Sequence, residues 1–199
     1  MRRIVMFNRV SADGYFASAD GGLDWTVPDE AIDQAGAARM PDFDTMLFGR
    51  RTYDAFESFW PHAVGESETA SDPHTDGRRT KTLLSMARWI NHSEKWLFST
   101  TRHRLTWHNS RLFPRFDASE LRALKQGPGK DMIVFGSGSL VSQLSEHGLI
   151  DEYQLIVGPL LLGDGRSLVR GLSTRVPLEL LEAKPFPSGN VMLRYARRS

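Results

Sequence analysis

Val134-Phe135-Gly136-Ser137-Gly138-Ser139-Leu140 reads as the end of a buried strand, then glycine and hydroxyl residues, then a helix start. Leu47-Phe48-Gly49-Arg50-Arg51-Thr52 follows the same design earlier in the chain. A helix N-terminus offers unpaired N–H groups and a partial positive charge, and glycine lets an anion approach the backbone closely. Arg50 and Arg51 add guanidinium forks that match phosphate oxygens. A third strand end, Ser99-Thr100-Thr101-Arg102, again sets hydroxyls beside a guanidinium. Three such ends point to a dinucleotide laid across the carboxyl edge of a sheet, especially one with an extra 2′-phosphate.

Working outward, strands are expected at Ile4 to Phe7, Thr45 to Phe48, Lys95 to Phe98 and Met132 to Phe135, with helical patterns between them. Gly14 to Ala17 is expected to pair nearby, ahead of a turn at Asp20-Gly21-Gly22. Pro28, Asp29 and Glu30 have the character of a helix first turn, and Asp117 with Glu120 that of an N-cap and its third residue. Tyr53, Phe56 and Trp60 share one helix face, as do Leu83, Ala87 and Ile90. The last fifty residues turn to β character at Tyr153 to Val157, Pro177 to Leu181 and Val191 to Tyr195. The expectation is one α/β domain over 1–199 that finishes in antiparallel strands, with a flexible loop at 61–79.

Composition narrows the function classes. The chain has 199 residues, no cysteine, and 25 Lys+Arg against 24 Asp+Glu. Disulfides, thiolate catalysis and Cys-ligated zinc are excluded. A formal net charge of +1 gives no electrostatic case for a nucleic-acid or membrane-surface partner. No apolar run approaches the ~20 residues that span a bilayer, and the apolar stretch after Arg2 and Arg3 is too short for a signal peptide. A cytoplasmic protein is expected.

Other chemistries fit poorly. Gly136-Ser137-Gly138 supplies two glycines of a Rossmann fingerprint, but Val141 stands where the third belongs. No P-loop lysine follows either glycine loop, and no nucleophile elbow is present. The six histidines form no ligand pattern, so no metal site is expected. Asp13, Asp24, Asp29 and Glu30 surround the first turn and helix. One of them, buried under a substrate, could hold a proton, since desolvation raises a carboxyl pKa. Trp25 is a candidate cavity wall, whereas Trp60 suits core packing.

Ser11-Ala12-Asp13-Gly14-Tyr15-Phe16-Ala17, Gly49-Arg50-Arg51-Thr52-Tyr53, Leu149 to Tyr153 and Gly158-Pro159-Leu160-Leu161-Leu162-Gly163-Asp164-Gly165 resemble the stand-alone RibD C-terminal-domain family. The resemblance covers nearly the whole chain apart from 61–79. It implies a dihydrofolate reductase-like three-layer α/β/α fold, with a central mostly parallel sheet and an antiparallel C-terminal hairpin. It implies NADPH as cofactor, commonly a homodimer, and hydride transfer to a C=N or C=O of a small pteridine- or pyrimidine-like substrate.

By similarity to dihydrofolate reductase, Gly49, Arg50, Arg51 and Thr52 match the phosphate-holding helix start. Ser99, Thr100, Thr101 and Arg102 match the 2′-phosphate side. Gly136, Ser137, Gly138, Ser139 and Leu140 match the glycine pair and helix start under the pyrophosphate. The nicotinamide is expected near Asn8, Arg9 and Ala17. Trp25-Thr26-Val27-Pro28-Asp29-Glu30 aligns Glu30 with the catalytic carboxylate. Asp13 is a second candidate acid, and Asn8, Trp25 and Tyr53 are candidate substrate contacts.

Rival readings stand beside this one: the reductase of 5-amino-6-(5-phosphoribosylamino)uracil in riboflavin biosynthesis, dihydrofolate reduction, a non-catalytic NADPH-binding module, and a purely structural dimer. The chain departs from the riboflavin-pathway enzyme in having Phe135 directly before Gly136, where that enzyme has Glu. It departs again in carrying Tyr53-Asp54-Ala55-Phe56 in place of Asp-Asp-Pro.

Overall fold

Along Ile4–Ser11 (β1), Ile4 and Met6 enter one core while Val5 and Phe7 enter another. Successive strand side chains point to opposite faces, so a near-continuous apolar run implies a sheet covered on both sides. The same split recurs in Phe43–Gly49 (β3), with Leu47 against Met46 and Phe48. In Asp131–Phe135 (β6) it separates Met132 and Val134 from Ile133 and Phe135. The computed structural model describes residues 1–64 and 80–198. The remaining elements are β2 (Tyr15–Ala17), α1 (Glu30–Arg39), α2 (Arg50–Phe59), α3 (Lys81–His92), β4 (Glu94–Phe98), β5 (Ser110–Phe113), α4 (Ala118–Gln126), α5 (Gly138–Glu146), β7 (Glu152–Gly158), β8 (Arg166–Ser167), β9 (Leu178–Pro185) and β10 (Val191–Arg197).

The main sheet has the order β5-β4-β3-β6-β1-β7-β10-β9. Strands β5 through β7 in that order pair in parallel, and β10 runs antiparallel to both β7 and β9. Leu121 of α4 and Leu140, Val141 and Leu144 of α5 cover one face. Tyr53 and Phe56 of α2 and Ile90 of α3 cover the other. This is the three-layer α/β fold with an antiparallel C-terminal hairpin. Truncating fully buried Leu47 to alanine would cost about 2–5 kcal/mol, because the rigid strands on either side cannot close the void.

The chain leaves β3 through α2 toward β4, and leaves β6 through α5 toward β7, on the opposite side of the sheet. Adjacent parallel strands whose chains depart in opposite directions open a crevice at their carboxyl ends. That crevice is where both glycine loops lie.

Two expectations are corrected. Gly14 to Ala17 does not pair locally: Tyr15 and Ala17 pair with Ser167 and Arg166 of β8. Strand β5 was not expected, since its sequence Ser110-Arg111-Leu112-Phe113 has only two apolar residues; it is the sheet edge beside β4. Of the loop expected at 61–79, positions 65–79 lie outside the described residues. Among the described residues no helix is long and apolar enough to cross a membrane.

Candidate functional site

Three helices have their first turns closed by a side chain. Asp29 accepts from the N–H groups of Ala31 (2.9 Å) and Ile32 (3.3 Å), and Asp117 from those of Ser119 (2.9 Å) and Glu120 (3.0 Å). Thr80 accepts from the Leu83 N–H at 3.0 Å. The helices that follow the two glycine loops have no such cap: the N-cap of α2 is Gly49 and that of α5 is Ser137, neither with a side-chain hydrogen bond. Their leading N–H groups are left for another acceptor.

The two helix starts abut. A Cβ on Gly49 would overlap the Ser137 hydroxyl, so only glycine fits there. Gly136 and Ser137 have successive positive φ values, +64° and +65°, the second held by a residue with a Cβ. Such strain persists only where the surroundings fix it, and it clusters at ligand sites. A Cβ on Gly138 would stand 3.1 Å from both the Phe16 ring and the Ser167 carbonyl oxygen.

These loops floor a cleft of about 860 Å³. Arg9, Arg50, Arg51, Arg166 and Arg170 line it, and among its described lining residues there is no carboxylate. Arg166 is anchored on the carbonyls of Ala19 and Asp20, and Arg170 on that of Gly165. Arg50 pairs with Asp54 at 3.2 Å. Arg51 makes no hydrogen bond or ion pair with any described residue. Asn8 also lines the cleft, and its Nδ2 is buried without a partner. An unpaired buried amide is costly and needs an explanation, and a ligand acceptor is one.

A second cavity of about 530 Å³ shares walls with the first: Phe7, Arg9, Leu23, Ala55, Phe56 and Phe135 line both. Its lining is mostly apolar and aromatic. Asp33 and Glu182 are its carboxylates among the described lining residues. Asp33 accepts from Arg9 at 3.2 Å. Burial pushes the Arg9 guanidinium pKa down, and the charges of Asp33 and Asp29 oppose that.

The cleft brings together Asn8, Arg9, Ala17, Arg50, Arg51, Thr52 and Gly136 to Ser139 from the sequence reading. Gly49 and Leu140 stand behind it, as spacer and core residue. Other candidates lie elsewhere. Arg102 is turned to α2, pairing with Asp54 at 2.5 Å and Glu57 at 2.6 Å over the Tyr53 ring. Ser99 folds back to accept from the N–H groups of Thr101 and Arg102, and Thr100 is exposed. Tyr53 is fully buried, its hydroxyl 2.9 Å from Ser110 Oγ, so it is core and touches neither cavity. The Trp25 ring packs beside Gly158, outside both linings, with Nε1 buried and unpartnered.

The two candidate acids also sit apart from the cavities. Glu30 is exposed at the first turn of α1 and accepts from Gln34 Nε2 at 3.0 Å. Asp13 is an exposed loop clasp that accepts from Ser11 Oγ at 2.5 Å and from the N–H groups of Leu162 and Gly163. The Ser11 hydrogen bond comes first among the causes holding its carboxyl below the ordinary range. Asp33, one helical turn beyond Glu30, is the α1 carboxylate that faces a cavity. Sequence reading missed Asp33, Arg166 and Arg170; Arg166 follows directly on Gly163-Asp164-Gly165, and Arg170 comes four residues after it, within reach of a signal already in view.

The fold recurs in solved structures. A candidate riboflavin biosynthesis protein from Shewanella sp. PV-4 superposes with a TM-score of 0.74 at 21% identity, covering 99% of each chain. Dihydrofolate reductase from Enterococcus faecalis, complexed with NADP(H), superposes with a TM-score of 0.62 at 10% identity, over 99% of this chain and 97% of that one. The uncharacterised Bacillus subtilis protein YyaP is 29% identical over 98% of this chain and 94% of its own length. Residues 2–192 match the RibD C-terminal domain, and the chain belongs to that family.

Proposed function

We propose that the chain is an NADPH-dependent reductase of a small carbonyl or imine compound. The observation that carries this reading is a cleft with five guanidinium groups and no carboxylate among its described lining residues, sharing a wall with a mostly apolar cavity. Such a cleft suits a ligand with several phosphates, and the fit extends to details. The uncapped starts of α2 and α5 offer N–H donors, Gly49 and Gly138 let backbone come close, and Asn8 Nδ2 awaits an acceptor.

On this reading Gly136 to Ser139 hold the pyrophosphate, and Arg50, Arg51, Arg166 and Arg170 neutralise phosphates. Bound there, NADPH supplies a hydride to a C=N or C=O carbon and leaves as NADP⁺, while the heteroatom takes up a proton. Phe7, Phe56 and Phe135, shared by both cavities, exclude water from the junction. Arg9 holds Asp33 at the same junction, which makes Asp33 the carboxylate suited to relay a proton. We further read the protein as a cytoplasmic homodimer, a state in which the exposed Leu178, Leu180 and Leu181 of edge strand β9 would be covered.

The test is calorimetric titration with NADPH and NADH of the native protein, Arg50→Ala and Arg51→Ala. NADPH is expected to bind more tightly than NADH. Each substitution should weaken NADPH by about 1.5–3 kcal/mol, as for a hydrogen bond to a charged group. Absence of binding by either nucleotide would sink the reading.

A further inference from the structure

We infer that the second cavity takes an uncharged, largely apolar ring compound with one polar edge, not a ribosyl phosphate; this rests on the reductase reading above. Phe59, Trp60, Met86, Ile90 and Phe186 form its walls, and about 530 Å³ is room for a two- or three-ring molecule. Gln154 and the Arg9–Asp33 pair are among its polar lining groups, enough to orient one carbonyl or imine edge.

The electrostatics argue against phosphate. Every guanidinium of this cavity already faces a carboxylate. Arg9 pairs with Asp33 at 3.2 Å, and Arg39 with Glu152 at 3.5 Å. Arg194 pairs with Glu152 at 2.8 Å and with Glu182 at 2.9 Å. The remaining cation among the described lining residues, Lys184, is exposed, with its ammonium 5.2 Å from the Phe186 ring centroid. A phosphate dianion would enter beside the lining carboxylates Asp33 and Glu182, with Glu152 buried behind Arg39 and Arg194, and could recruit a guanidinium only by breaking a standing pair. The neighbouring cleft differs: of its five guanidinium groups Arg9 and Arg50 are ion-paired, while Arg51, Arg166 and Arg170 pair with no carboxylate among the described residues, and none lines the cleft there. The two cavities therefore sort their ligands by charge: phosphates on one side, an apolar ring on the other.

The test is calorimetry with 2-acetylnaphthalene, an uncharged two-ring ketone, and with uridine 5′-monophosphate. Each is titrated with and without saturating NADP⁺. Met86→Glu puts a charge in the apolar wall and Phe59→Ala removes an aromatic face, while NADPH affinity serves as the fold control. The ketone should bind both forms of the protein. Met86→Glu should weaken it at least about tenfold and Phe59→Ala several-fold, with NADPH affinity held within about twofold. Uridine 5′-monophosphate should bind only in competition with NADP⁺, and indifferently to Met86→Glu. The inference is overturned by a ketone that does not bind or ignores both variants. It is equally overturned by uridine 5′-monophosphate that binds alongside NADP⁺ and is weakened by Met86→Glu. Ketone binding with no NADPH affinity would overturn the reductase reading and leave the cavity's chemistry standing.

Discussion

The carboxamide of Asn8 lies against the bare backbone of Gly136: a Cβ there would stand 3.4 Å from Asn8 Oδ1, and Asn8 Nδ2 is buried with no partner. Asn8, within β1, and the glycine that follows β6 thus meet at the lining of the arginine cleft, with one donor left over. Replacing Asn8 with leucine should weaken NADPH by up to about tenfold, the worth of one hydrogen bond. Stability should hold or rise, because an unsatisfied amide is removed. Calorimetry and urea unfolding read the two effects separately; lost stability with unchanged nucleotide affinity would assign Asn8 to the fold instead.

Gly49→Ala is expected to cost about 1–3 kcal/mol and to weaken NADPH, since the new methyl overlaps the Ser137 hydroxyl and pushes the α2 and α5 starts apart. Ser137→Gly in the same chain removes that hydroxyl and relieves the positive φ, so the double variant should recover most of the stability. Equal stability of the native protein and Gly49→Ala would refute the close approach.

Asp33→Asn should leave NADPH affinity within about twofold and slow single-turnover reduction of 2-acetylnaphthalene by about 10²-fold or more, the usual scale of a proton-transfer group. Glu30→Gln and Asp13→Asn, whose carboxylates lie outside both cavities, should leave that rate unchanged. Stopped-flow absorbance of NADPH measures all three. A rate that follows Glu30 would move the proton relay to the first turn of α1.

Acid stability should trace to Glu152. Burial pushes its carboxyl up, but hydrogen bonds from Arg194, Gln154 and Arg3 outweigh this and bring it from its ordinary 4.5 down to about 2. A carboxyl depressed on folding stabilises fully above its unfolded pKa and loses that contribution as pH falls through the folded one. Unfolding free energy should therefore drop between about pH 4.5 and about pH 2, by up to about 3 kcal/mol. Glu152→Gln should be less stable at neutral pH and show a flatter acid limb in denaturant titrations. An unchanged limb would assign the acid loss to other carboxylates.

The strand-to-helix turns were legible because their signals are local. Glycine after an apolar run, followed by a helical period, fixes a turn whatever lies around it, and the core alternation of β1, β3 and β6 is written in runs of apolar residues. The Asp117 cap could be read for the same reason: acceptor and donors are two or three residues apart. Strand β5 was not legible, since an edge strand with one polar half carries little periodicity.

Arg102 marks where local reading stopped. Its neighbours Ser99 to Thr101 gave it the look of a phosphate ligand, yet Asp54 and Glu57, a helical turn apart on α2, hold it across the end of β4. Nothing within a few residues of Arg102 announces those acids, and a guanidinium goes to the carboxylates the fold brings nearest. Asp33 and Glu30 divide in the same way. Both are acids in the first turn of α1, and only the packing of Ile32 against Ile156 and Phe186 decides which side of the helix faces inward.

The sequence by itself determined the layered α/β architecture and the two glycine helix starts, because those rest on backbone freedom and side-chain period over a few residues. Only the tertiary structure decided which arginines share a cleft without carboxylates, which are silenced by ion pairs, and which acid looks into the apolar cavity. Those depend on distances between segments far apart in the chain, such as Arg9 and Arg170, and electrostatics follows distance in space, not separation along the chain.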